Sequence, residues 1–272
     1  GRPARDWFDE SRPRVVAPVA RRPGSGVNRR GVSGGGPRGI GGGPLAAEVP
    51  FPTIASLRAR YKASLGIALV GSDVDAWADQ SGSGNHLTAP GASNRPLWIA
   101  SDAGFGGKPV VQGDGVGEWL ERATFDFGGD LTNLSFWLVV RVDTATNGRR
   151  WLHYTSQGVI VRQNASAFIE IIETGTGGAT STGTTARSTP GTAWARLTAG
   201  TTQSVGTGTT QEDSDANTLA VPTDDLGLTV FAGATGVAPA AITTPEIIVT
   251  AGSLSAGELS DLAAYAAQEY GV

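Results

Sequence analysis

Residues 134–142 read LSFWLVVRV, and this stretch decides the fold. Successive side chains of a strand point to opposite faces, so Phe136, Leu138, Val140 and Val142 share one face while Trp137 and Val139 share the other. Both faces are apolar. The pattern predicts a central strand covered on each side, as in a layered β protein.

Outward from this strand, short apolar stretches alternate with turn clusters. Further strands are expected at 67–69, 73–78, 109–112, 150–154, 159–162, 167–173, 193–199, 226–231 and 246–250, separated by turns such as GSGN, GFGGKP, GDGVG and TGTGG. Residues 174–218 are dominated by Thr, Gly and Ser and fit either polar strands on an outer sheet or long loops. No fixed-period repeat is present. A helix is predicted near the end, in SLSAGELSDLAAYAAQEYGV (253–272). Ser255 and Glu258 have capping-box spacing, Leu259, Leu262, Ala263 and Ala266 fall on one face, and Gly271 stands at the left-handed C-cap position. It reads as a helix docked on the sheet.

The bulk numbers agree with a turn-rich β chain. Among 272 residues there are 40 glycines and 17% charged residues. All-β sandwiches of this length can form one domain. With no cysteine, disulfides and thiolate metal sites are excluded, and two histidines cannot build a three-histidine zinc site. No apolar run approaches the roughly 18 residues of a membrane span, and no apolar signal core opens the chain. The expectation is a soluble protein outside the Sec route.

Charge divides the chain in two. Residues 1–47 carry nine arginines against three acids, a net +6, so the remainder carries −10 of the overall −4. This arm also holds six prolines and the segment GGGPRGIGGGP, too little apolar surface to offset the entropy of ordering. A flexible linker is one reading. An assembly arm is the leading one, with Trp7 and Phe8 as apolar anchors and Arg12, Arg14, Arg21, Arg22, Arg29, Arg30 and Arg38 making forked bonds to carboxylates. Nucleic acid is not expected, because the aromatics are not interleaved through the basic run as stacking platforms. The domains are therefore an extended arm, 1–47, and a sandwich, 48–272.

DVDAWAD (73–79) spaces Asp73, Asp75 and Asp79 like a calcium loop, but Ala78 replaces the required glycine and Gly84 the final glutamate. A looser calcium site using Asp73, Asp75, Asp79 or Asn85 stays open. Its structural rival in WADQSGSGNHL (77–87) has Trp77 in the core, Asp79 and Asn85 bonding backbone, Gly82 and Gly84 at positive φ, and His86 at an edge. There is no G-x-S-x-G elbow; Pro109 stands where a phosphate loop needs Ser or Thr; GDGVG lacks a βαβ context. Glu170 and Glu173 point to opposite faces of a strand. No catalytic residue, metal or cofactor is expected.

Several segments, WADQSGSGNHL, NRPLWI, FGGKPVVQGDGVGEWLE, LSFWLVVRV and PEIIVTAGSLSAGELSDLAAYAAQEYGV, resemble in order the concanavalin A-like (laminin-G-like) jelly-roll domains of phage virion and bacterial surface proteins. The match covers about 54–272 and is weakest across 174–218. It implies two packed antiparallel sheets and a turn at 77–87 that supports them. Glycosidase relatives carry an E-x-D-x-x-E strand that does not occur here. The leading functional expectation is a non-enzymatic virion protein of a tailed phage, a head decoration or tail accessory component. It would be held to capsid or tail proteins by the arm, as a homo-oligomer within the particle. The alternative is an adhesion module binding host cell-surface glycans, with Trp98 or Trp119 beside Asn94 and Asp114 as the platform. Core packing is the competing role for both tryptophans. A glycosidase, needing two carboxylates roughly 5–10 Å apart in a cleft, is the third reading.

Overall fold

A computed structural model describes residues 49–129, 132–154, 158–173, 179–217 and 226–272. The arm, with Trp7, Phe8 and its arginines, lies outside the described residues. In chain order the first strands are β1 (Leu57–Lys62), β2 (Ile67–Val70), β3 (Asp73–Trp77), β4 (Leu87–Thr88), β5 (Leu97–Asp102) and β6 (Lys108–Gln112). Next come β7 (Leu120–Phe125), β8 (Asn133–Val142), β9 (Arg149–Tyr154), β10 (Val159–Gln163), β11 (Phe168–Glu173) and β12 (Thr180–Ala186). The last are β13 (Gly191–Thr198), β14 (Thr202–Thr207), β15 (Thr210–Ala216), β16 (Leu226–Val230) and β17 (Ile242–Thr250), followed by helix α1 (Ala256–Tyr270). This helix is not long and apolar enough to cross a membrane.

The strands make two antiparallel layers. One runs β2–β3–β4–β7–β16–β9–β10–β11–β12. The other runs β15–β14–β13–β8–β17, with β1 and β6 sharing the far edge of β17 and β5 pairing with β6. A bridge from Asp73 to Leu97 links the layers. The expected all-β sandwich with a C-terminal helix is thus the observed architecture. Residues 180–186, 202–207 and 210–216 resolve part of the open Thr/Gly/Ser region as polar strands.

β8 is buried on both faces, for the reason its sequence suggests. Phe136, Leu138, Val140 and Val142 enter the core between the layers, with Trp151, Leu152, Ile247 and Val249. Trp137 and Val139 enter a second core beneath α1, with Trp194, Ile248, Leu259 and Leu262. The helix is capped as its residues predict: Ser255 and Glu258 form the reciprocal box, and Gly271 takes φ 74°.

A polar cluster locks α1 down. Glu246, fully buried, accepts from Arg60 Nε at 2.6 Å, the Tyr265 hydroxyl at 2.9 Å and the Tyr270 hydroxyl. Beside it, Glu269 pairs with Lys62 at 3.0 Å and Lys108 at 3.1 Å. Burial and the nearby Glu246 carboxylate push both tyrosine hydroxyls well above their usual range, so they stay donors.

Candidate functional site

The turn at 77–87 is built from its own side chains. Asp79 accepts from the Arg60, Ser81 and Asn85 backbone N–H groups and from the Ser81 hydroxyl. Asn85 donates to the Arg58 and Asp126 carbonyls and accepts from Asp126 N–H. Trp77 is fully buried, Gly82 and Gly84 have φ of 89° and 75°, and His86 Nδ1 accepts from Asp79 N–H. Asp75 is paired with Arg95. These bonds tie the turn to β1 and to the loop after β7, which is the structural role its residue types allow. Among the described residues no three His, Asp or Glu side chains converge as a metal site would require.

The second histidine, His153, is nearly buried and accepts from Ala234 N–H at 2.7 Å. Burial, reinforced by Arg150, lowers its pKa to about 4. Glu170 is likewise engaged, with Arg162 at 2.7 Å.

Of the four glycan-platform residues, three meet at one corner. Asn94 donates from Nδ2 to the Gly117 carbonyl at 2.8 Å, and its own carbonyl accepts from Trp119 N–H at 2.9 Å. Asp114, exposed, accepts from Val116 and Gly117 N–H. The Trp119 ring lies so close over Gly236 that no Cβ would fit there. Trp98 is turned away: its Nε1 donates to the Ala63 carbonyl at 2.9 Å and its half-buried ring packs against the core. Glu118, which accepts from Asp114 N–H, was not singled out by sequence. Burial first, then the Asp114 and Asp73 charges, raise its pKa to about 7. A small cleft of about 110 Å³ beside this corner is lined by Asp114, Thr144, Thr146 and Arg149.

A larger polar cleft, of about 180 Å³, lies on the α1 side of β13–β14–β15 and is lined by Arg196, Thr198, Thr202, Ser204, Gln211 and Ser214. Strand register aligns these side chains. Thr198 stands opposite Thr202, Arg196 opposite Ser204, and Ser204 opposite Ser214. Trp194 stands opposite Gly206, and its ring occupies the space that a Cβ at 206 would need. Arg196 stacks on that ring with its Cζ 4.2 Å from the centroid, and donates from Nη1 to the Leu254 carbonyl at 2.9 Å. Its Nη2 makes only a long contact, 3.4 Å, to Gln211 Oε1. Burial lowers its pKa. The guanidinium is held in place by a ring and a carbonyl, yet no carboxylate of the described residues forms an ion pair with it.

The strand expected at 193–199 carries part of this cleft, because period two puts Trp194, Arg196 and Thr198 on one face. Ser204, Gln211 and Ser214 fall in the Thr/Gly/Ser-rich region, whose sequence fits strands and loops alike.

No family model matches the chain, and neither does any curated protein. Solved structures do match. The binding domain of Paraclostridial Mosquitocidal Protein 1 superimposes with a TM-score of 0.56 at 8% identity, over 76% of this chain and 52% of that one. Domain 4 of AbnA, an extracellular arabinanase from Geobacillus stearothermophilus, solved with arabinotriose, gives 0.54 at 11% identity, over 76% and 98%. Trypanosoma rangeli sialidase, solved with sialic acid, gives 0.57 at 13% identity, over 81% and 34%. The likeness is one of fold. The chain spans about half the length of the toxin binding domain and a third of the sialidase.

Proposed function

We propose that the sandwich is a glycan-binding module that holds its ligand without turning it over, with the β13–β14–β15 cleft as its site. The observation that carries this is the cleft's lining: hydroxyls and an amide set at sheet spacing around a fixed guanidinium, on a rigid face. Such groups match the donors and acceptors of a sugar ring, and strands hold them more accurately than loops do. None of the lining side chains is a carboxylate, so the cleft lacks the pair that glycoside hydrolysis requires. The fold likeness supports the same reading, since the arabinanase domain, matched over 98% of its length, was solved with arabinotriose. The alternative of a virion component rests on residues 1–47, outside the described residues, and the sandwich favours the glycan reading over it.

The test is retention of the intact chain on an array of immobilised glycans, repeated with Gln211→Ala and Ser214→Ala combined, while soluble oligosaccharides are followed for shortening. Retention should fall with the double substitution and no product should form. Absence of retention on every glycan, or retention unchanged in the double variant, would exclude this cleft as the site.

A further inference from the structure

We infer that Arg196 makes this cleft selective for carboxylated saccharides over neutral ones, an inference that rests on the glycan-binding reading above. The described arginines that reach carboxylates show what is missing here. Arg60 is paired with Glu246 at 2.6 Å, Arg95 with Asp75 at 2.6 Å, Arg141 with Asp102 at 3.1 Å and Arg162 with Glu170 at 2.7 Å. Arg196 is as well fixed as these, but no carboxylate of the described residues compensates its charge.

Carboxylates are close by in sequence, and the strand turns them away. β15 carries Glu212, Asp213 and Asp215 beside the cleft residues Gln211 and Ser214. A register shift between the pairs Val205–Asp213 and Gly206–Gln211 marks a bulge. A bulge inserts a residue and resets which face the following side chains take. Gln211 and Ser214 therefore both face the cleft although they are three apart. Asp213 is turned to β12, where it accepts from Thr182 N–H at 2.7 Å, and Asp215 contacts Ser181 there. Glu212 accepts from the Thr184 N–H at 2.7 Å. All three acids on the strand are occupied across the sheet from Arg196.

A guanidinium carries a planar fork of donors that matches a carboxylate. Only one firm bond, to Leu254, occupies it. The long Gln211 contact is readily exchanged for a ligand oxygen, and stacking on Trp194 keeps the plane oriented, so little side-chain entropy remains to be lost on binding. The size of the cleft restricts the ligand further. At about 180 Å³ it is below the roughly 300–1,000 Å³ of pockets for larger organic ligands. It admits one sugar unit, its carboxylate on Arg196 and its hydroxyls against Ser204, Ser214 and Thr198, with the rest of the saccharide outside. An acidic protein segment or nucleic acid is disfavoured, because a long polyanion would meet the net −10 of residues 48–272.

Four probes decide the point by calorimetry on the intact chain: 3′-sialyllactose against lactose, and trigalacturonic acid against its methyl ester. In each pair only the carboxylate charge or the acidic unit is removed. At least one carboxylated member should bind about tenfold tighter than its neutral counterpart, the scale of one charge-assisted contact. Arg196→Gln should bring the pair to within about twofold of each other. Ser204→Asp should do the same while leaving the arginine in place, because it sets a carboxylate opposite Arg196 in the register. Thermal melts of both variants verify that the sandwich persists. Equal affinity for charged and neutral partners in the wild type would overturn the selectivity while leaving glycan binding intact. Failure of all four probes, with glycans retained on the array, would overturn it too; failure on the array as well would remove both readings. Binding of acetate or sulfate as tightly as the saccharides would reduce the site to a simple anion contact and overturn the inference.

Discussion

Glu246→Ala tests how the second core is held. In the folded protein this carboxylate serves three donors, Arg60 Nε and the Tyr265 and Tyr270 hydroxyls. Removing it takes the acceptor from two buried hydroxyls, at about 1–3 kcal/mol each, although Tyr265 still accepts from Arg60 Nη2 at 3.0 Å. Arg60 suffers less, since its side chain is 13% exposed and rests 3.8 Å from the Phe51 ring, so water and the ring replace part of what it loses. The sum is about 3–5 kcal/mol, the range expected when one partner of a buried pair is removed. For a sandwich of this size each kcal/mol is worth about 2–4 °C, which predicts a melting temperature lower by about 10 °C. Glu246→Gln, which keeps one acceptor oxygen, should lose about half as much. Near-ultraviolet circular dichroism follows the tyrosines directly, and calorimetry gives the midpoint. Tyr270→Phe in the Glu246→Ala background should cost less than it does alone, because the stranded hydroxyl is gone. A fall below about 3 °C for Glu246→Ala would mean that apolar packing alone docks the helix and that the polar cluster is incidental.

The other predictions concern pH and the cleft. Glu118 has its pKa raised to about 7, so folding takes up a proton between about pH 4.5 and 7 and stability from this group falls as pH rises through that window. Glu118→Gln should flatten the decline and raise the melting temperature at pH 8; an unchanged pH profile would contradict it. His153, lowered to about 4, acts in the opposite sense: its contribution is complete above about pH 6.5 and is lost as pH falls toward 4, by up to about 3 kcal/mol. The two slopes oppose each other between pH 4.5 and 6.5, so Glu118→Gln should expose the histidine's acid loss in a pH series of melts. Gly206→Ala should displace the Trp194 ring, lower stability by about 1–3 kcal/mol as an overpacking change and weaken saccharide retention through Arg196. Retention at wild-type level with an altered tryptophan spectrum would separate the ring from the site.

What could be read in the sequence was what local pattern encodes. β8 announces itself because a two-sided apolar strand needs no knowledge of its partners, and α1 because Ser255, Glu258 and Gly271 cap it within the helix's own neighbourhood. β1, LRARYK, has the opposite property. Ala59 and Tyr61 join the main core, while Arg60 and Lys62 point toward α1, where their charges are accepted by Glu246 and Glu269. Those partners lie some 200 residues along the chain, so the strand looks too charged to be internal until the helix is in place. Trp98 and Trp119 show the same limit from the other side. Both are partly exposed indoles, and the carbonyl of Ala63 and the backbone of Gly236 distinguish their settings.

The cleft is harder still to read, because it depends on two departures from strand regularity. Gly206 in the middle of β14 looks like a weak point, since glycine adds no packing there and costs backbone entropy. Its use emerges only when Trp194 across the ladder fills the vacated space and offers its ring to Arg196. The bulge in β15 breaks the period of two at the residues where a regular alternation would set Gln211, Asp213 and Asp215 on one face. Had the alternation continued, two carboxylates would have shared that face with Gln211 and stood ready to neutralise the guanidinium. The shift instead sends the acids to β12 and brings Ser214 round beside Gln211. An arginine without a carboxylate is therefore the product of strand pairing, which one strand's composition does not contain. Deleting Ser214, which leaves the bulge at 212 in place, should bring Asp215 opposite Ser204, carry its carboxylate toward Arg196 and abolish binding of carboxylated saccharides. Preserved binding in a folded deletion variant would show that the register of β15 does not control the charge of the cleft.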